Sequence, residues 1–176
     1  KMSIFKNLTI ASINFSILVA MGSVAVSHHA EAQAVKEKEV SQAEIMCLAK
    51  NIYFENHGRS EADAYGVSDA IMNRVEDSRY ANTVCAVVQQ GKKNADGSMK
   101  RNSCMFSWYC DGKRDNPRKG KAWDNSLKYA VEFYSGKGRG ISQGANHYHA
   151  HNMTPYWADD LDKVGRIGSH VFYRWN

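Results

Sequence analysis

Apolar residues recur at helical spacing from Ile45 through Leu48, Ala49, Ile52 and Tyr53, which predicts a helix with one buried face. Ser41-Gln42-Ala43-Glu44 has the S-x-x-E form of a capping box at its start, and Asn56-His57-Gly58 are poor helix continuers at its end. Ser60-Glu61-Ala62-Asp63 reads as the cap of a second helix, with an acid in its first turn and Val67, Ala70, Ile71 and Val75 inward. Asn82 or Thr83 would cap a third helix, with Val84, Val87 and Val88 inward and Gly91 as its stop; a polar loop to Asn102 follows. Trp123, Leu127, Ala130, Val131 and Tyr134 mark another helix, closed by the glycines from Gly136 to Gly140. Towards the C-terminus the period shortens. Asn146 to His151 alternates, Gly165 to Gly168 reads as a tight turn, and HVFYRW reads as a strand with Val171, Tyr173 and Trp175 on one side. Helices first and short strands late predict an α+β domain.

The first 32 residues stand apart from this pattern. Lys6 precedes an apolar run from Leu8 to Val26, and Ala30-Glu31-Ala32 supplies an A-x-A-like cleavage site, which is the form of a secretory signal peptide over 1–32. The run is long for such a segment, so a retained signal anchor is the alternative. Residues 33–42, polar and charged, read as a linker, and 43–176 as one domain. A net charge of +5 and a pI near 9.0 suit an anionic polymer: nucleic acid, a membrane surface or a cell wall. No nucleic-acid motif accompanies the charges, and Lys92, Lys93, Lys100 and Arg101 lie in a stretch that reads as a solvated loop.

Export argues for disulfides, and the four cysteines allow three pairings. We expect Cys104 with Cys110, which would hold a local aromatic loop, and Cys47 with Cys85, which would tie the first helix to the third. Zinc is the weaker reading of these cysteines, since no C-x-x-C pair is present. His147, His149 and His151 would share one face of a strand, as imidazoles in a metal site can, but no carboxylate or cysteine stands at matching spacing. Neither a metal nor an organic cofactor is expected.

Glu55 is the carboxylate with candidate chemistry. In the last turn of the first helix it would feel the negative end of the helix dipole and partial burial, both of which favour the protonated acid. Asp63, Glu61 and Asp69 belong to the second helix, where capping and solvation explain them.

The blocks NIYFENHGRSEADAYGVSDAIMNRV, RYANTVCAVVQ, CMFSW, GANHYHA and IGSHVFYR, in that order, resemble the cell wall hydrolase family typified by spore-cortex-lytic enzymes of the SleB type. The resemblance runs from about Ala43 to Tyr173, and Met105 stands where the family usually has Gln. It implies a lysozyme-like, transglycosylase-like helical domain with a small C-terminal β element, acting outside the cell on peptidoglycan glycan strands. Glu55 would be its one catalytic acid, and Phe106, Ser107, Trp108 and Tyr148 would wall the cleft, Trp108 by stacking on a sugar ring. Asn73 and Arg74, which end the N-R-V block, are read as holding the fold together. The implied reaction is that of a lytic transglycosylase; a water-using muramidase or phage endolysin, and a non-catalytic wall-binding domain, are the alternatives.

Overall fold

The computed structural model describes residues 42–176. The expected leader over 1–32, most of the linker over 33–42 and the Ser41 cap lie outside the described residues, and Gln42 is already helical. No helix among the described residues is long and apolar enough to cross a membrane.

Helix α1 runs through 42–56 and buries Leu48, Ala49 and Ile52 completely, with Ile45 and Tyr53 at the edges of that face. It ends because His57 and Gly58 both turn to positive φ, 57° and 59°. A side chain at Gly58 would run into the Ala122 carbonyl oxygen of a later helix, so only glycine lets the two elements meet. Glu44 reaches across to another element. Its carboxylate accepts from the amides of Val84 and Cys85, satisfying orphan N–H groups at the start of the third helix.

Helix α2, Glu61–Glu76, is capped by Ser60, whose hydroxyl accepts from the Asp63 amide at 3.2 Å. It buries Val67, Ala70 and Ile71 as its spacing predicts, but also Asp63, Ser68, Asp69 and Arg74. Helix α3, Val84–Val88, is capped by Thr83, with Val84, Val87 and Val88 inward. The Cys47–Cys85 disulfide joins α1 to α3 across a Cα separation of 5.2 Å.

The stretch expected to be a polar loop is a hairpin, β1 Gly91–Lys93 paired antiparallel with β2 Met99–Cys104 around an Asn94 to Ser98 turn. Most of its side chains are exposed on both faces, so no alternation of apolar residues announced it. A 3-10 turn, Ser107–Cys110, follows, and the Cys104–Cys110 disulfide closes it onto β2. Helix α4, Lys121–Tyr134, buries Ser126, Ala130 and Phe133; Val131, counted in the predicted stripe, is 54% exposed.

Three strands complete the chain: β3 His147–Ala150, β4 Asp162–Ile167 and β5 His170–Arg174, antiparallel in the order β3-β5-β4. Gly165 lies inside β4 and the turn is confined to Gly168 and Ser169, tighter than expected. As the central strand, β5 is buried on both faces. Phe172 packs against Gly66 and Ala70 of α2, whereas Val171 and Tyr173 pack against Trp157, Ala158 and Leu161; Trp175 lies beyond the strand and is exposed.

Two buried carboxylates lock α2 to these C-terminal segments. Asp69, fully buried, accepts from the amides of Gly140 and Ser142, from the Ser142 hydroxyl at 2.6 Å and from Arg139 at 2.8 Å. Asp63 accepts from the Ser169 amide and hydroxyl and pairs with His170 at 2.9 Å, which holds its pKa below the usual range despite burial. Glu61, more exposed, pairs with Lys137 at 2.7 Å. These specific bonds, rather than solvation, account for the acids of α2.

Candidate active site

Glu55 sits in the last turn of α1, half-buried, one turn after Asn51. Its pKa is pushed up to about 7 by desolvation, which outweighs the lowering effect of the Tyr148 hydroxyl and of the Arg74 charge. Burial, one of the two causes the sequence suggested, is the largest cause of the rise. Among the described residues, no second carboxylate contributes to the shift.

The surroundings are assembled from three elements. Arg74, near the end of α2, is buried and donates from Nε to the Asn146 carbonyl at 2.6 Å. Its guanidinium lies 5.4 Å from the Phe106 ring and 5.5 Å from the Tyr80 ring, and it forms no salt bridge among the described residues. Tyr148, on β3, stands beside Glu55 with its ring against Phe106, His170 and Phe172; burial raises its pKa well above the ordinary tyrosine value. Among the described residues, Asn51 Nδ2 and Arg74 Nη1 are buried donors without an acceptor, and the Tyr148 hydroxyl beside them faces the Glu55 carboxyl. Buried donors are costly to leave unpaired, so a cluster of them around one carboxyl marks a place built for a polar ligand or water.

The structure brings Glu55 and Tyr148 together and sets Phe106, only 3% exposed, in the layer under Tyr148 and Arg74. Trp108 departs from its expected role. Phe54 stacks on it at 4.6 Å, and its indole N–H donates to Asn51 Oδ1 at 3.0 Å, so it positions Asn51 instead of offering a free face to a sugar. Ser107 is exposed at the start of its 3-10 turn. Asn51 carries no sequence signal that singles it out, and Arg74, read from the sequence as holding the fold together, also faces the carboxyl; both continue apolar stripes at helical spacing, Asn51 between Leu48 and Glu55 and Arg74 after Ala70 and Ile71.

The histidines do not act as one group. His151 lies past the end of β3 and bonds the Ser169 carbonyl, and both His149 nitrogens are engaged, by the Ala150 carbonyl and the Tyr173 hydroxyl. His147 has its pKa lowered to about 4 by burial, with the charges of Arg74 and Arg79 adding to the effect. Among the described residues, no three His, Cys, Asp or Glu side chains are grouped as metal ligands.

Two clefts, of about 720 and 520 Å³, flank Tyr53. Glu55 lines neither, as expected for a residue two positions on and hence about 200° around the helix.

The model of the cell wall hydrolase family matches residues 58–173, about two thirds of the chain. The chain belongs to the cell wall hydrolase family. The matched span takes in Arg74, Phe106 and Tyr148 and begins just after Glu55. Two solved structures are similar to this cell wall hydrolase. One is the catalytic domain of the germination-specific lytic transglycosylase SleB from Bacillus anthracis, at 21% identity and a TM-score of 0.58, covering 76% of this chain and 95% of that one. The other is the catalytic domain of the Bacillus cereus SleB protein, at 21% identity and a TM-score of 0.57, covering 76% and 91%. No curated protein matches. The fold of this cell wall hydrolase is thus that of the SleB catalytic domains, α+β and lysozyme-like.

Proposed function

We propose that the protein cleaves peptidoglycan glycan strands as a lytic transglycosylase, with Glu55 as its single acid and base. The observation that carries this reading is a carboxyl with a pKa near 7 whose charged and polar neighbours are Arg74 and Tyr148 rather than a second acid. Most glycosidases employ two carboxylates, one to protonate the leaving oxygen and one to attack or to activate water. One carboxyl suffices when the substrate supplies its own nucleophile.

In that reaction protonated Glu55 gives its proton to the bridging oxygen as the bond from the muramyl anomeric carbon breaks. The resulting carboxylate takes the proton of the muramyl primary hydroxyl as that oxygen bonds the same carbon, which leaves an anhydro-muramyl end and restores the acid. A pKa near neutrality serves both halves of the cycle. Burial keeps the proton on at the start, and Arg74 and Tyr148 stabilise the carboxylate that forms midway. The steps call on no metal or organic cofactor. Family membership and the SleB-like fold support a wall substrate outside the cytoplasmic membrane.

Purified sacculi digested with the wild-type protein should release fragments with anhydro-muramyl ends by mass spectrometry. Glu55→Gln keeps size and hydrogen bonding but has no proton to give, so turnover should fall by about two to four orders of magnitude. Reducing muramyl ends would assign a hydrolytic muramidase instead. Undiminished cleavage by the Gln variant would remove Glu55 from the reaction, and absence of cleavage by the wild type, with binding intact, would leave a wall-binding domain.

A further inference from the structure

The two clefts beside Tyr53 play no part in the chemistry at Glu55, yet together they form a cationic concave surface. They share Tyr53 and Arg118; Arg59 and Lys121 line the larger, Lys113 and Arg114 the smaller, and no Asp or Glu lines either. All five cationic residues are exposed. Lys113 pairs with Asp111 at 3.2 Å, whereas Arg59, Arg114, Arg118 and Lys121 have no salt bridge among the described residues. Helix α4 begins at the rim, where Lys121 and Ala122 line the cavity and Gly120 gives no side-chain cap, so its first-turn amides add to the positive potential. Unpaired cations gathered around a groove with a tyrosine in its wall describe a site for an extended anion with an apolar or sugar backbone.

Resting on the peptidoglycan reading, we propose that this groove holds the carboxylates of the stem peptides carried by the glycan strand. The groove is built from the residues on either side of Glu55 in the chain, Tyr53 and Phe54 before it and His57 to Arg59 after it. The groove is thus carried by the same end of α1 as the acid, and the stem carboxylates are the regular negative charges that a strand held at Glu55 bears. The site makes the enzyme selective for peptide-bearing strands over stripped ones.

The test is binding, read separately from turnover. Full-length protein is titrated with intact sacculi and with glycan strands freed of stem peptides by an amidase, at low and high salt. Intact sacculi should bind more tightly, with a preference that shrinks as salt rises. The Arg59→Gln/Arg118→Gln variant should lose about tenfold in affinity for sacculi, roughly 1.4 kcal/mol, and almost nothing for stripped strands. Equal wild-type affinity for both polymers, or a preference unchanged in the double variant, would overturn the proposal. Sacculi bearing phosphodiester wall polymers, compared with the same sacculi after these polymers are removed by hydrogen fluoride, give the other arm: a preference that disappears on their removal would assign the groove to phosphate and overturn the stem-peptide proposal. Because binding needs no chemistry at Glu55, these results stand apart from the cleavage outcome of Glu55→Gln.

Discussion

Glu55 holds its proton to about pH 7 because the fold withdraws its carboxyl from water, and that arrangement favours the chemistry at the expense of the fold. Cleavage that depends on the protonated acid should therefore decline as pH rises through about 7, which a rate profile on sacculi between pH 5 and about pH 9 would check. The stability effect has a definite sign. Between the ordinary carboxyl value of 4.5 and about 7 the folded protein keeps a proton that the unfolded chain releases, so stability falls with rising pH across that window and levels off above it. Glu55→Gln carries no charge to desolvate. Relative to wild type it should gain about 1–2 kcal/mol between pH 4 and pH 8, less than the full linkage value because the side chain keeps partial contact with solvent. Urea unfolding at the two pH values measures this, and a variant that gains nothing at pH 8 would show that the carboxyl is not desolvated. Arg74 illustrates how a residue can serve both fold and site: its Nε secures the Asn146 carbonyl while its charge faces Glu55.

At the level of elements, the cross-links and caps join segments distant in sequence. Cys47–Cys85 spans 38 positions and fixes α1, which carries Glu55, to α3; the Glu44 carboxylate reinforces the same junction at the α3 amides. Cys104–Cys110 spans only 6 positions and holds the turn that bears Phe106 and Trp108. Loop-closure entropy assigns the longer bridge about 4 kcal/mol and the shorter about 2. The Cys47→Ser/Cys85→Ser protein should lose more thermal stability than Cys104→Ser/Cys110→Ser. The second variant should instead lose activity while still folded, because Trp108 would no longer hold Asn51 beside Glu55. Calorimetry and turnover measured on both proteins would separate the effects, and full activity in the folded Cys104→Ser/Cys110→Ser protein would remove the turn from any part in the site.

Over the whole molecule, α2 is the axis on which helical and sheet parts meet. Asp69 binds the segment after α4, Asp63 binds the β4–β5 turn, and Gly66 admits Phe172. Asp69→Asn would set an amide NH₂ against N–H donors in a fully buried place, at a cost of about 3 kcal/mol; a melting temperature within about 2 °C of wild type would contradict the assignment. Much of this architecture was legible beforehand. The stripes Leu48-Ala49-Ile52, Val67-Ala70-Ile71 and Val84-Val87-Val88, the Ser60 and Thr83 caps and the Gly58 stop are local signals, decided by helical period and by side chains a few residues apart, and Glu55 stood out through its place at a helix end. The hairpin at 91–104 was hidden because both its faces meet water and no one-sided alternation exists to be read, whereas β5 was legible as a strand with Val171 and Tyr173 on one side, though not as one whose other face is buried too. Local pattern also cannot say which partner a polar side chain takes. That Glu44 caps α3, that Trp108 serves Asn51, and that Arg74 and Tyr148 converge on Glu55 are pairings between residues 19 to 93 positions apart. Only close packing of the folded chain selects among such partners, since burial is what makes an unpaired polar group costly and a distant charge strong enough to set the acidity of a carboxyl.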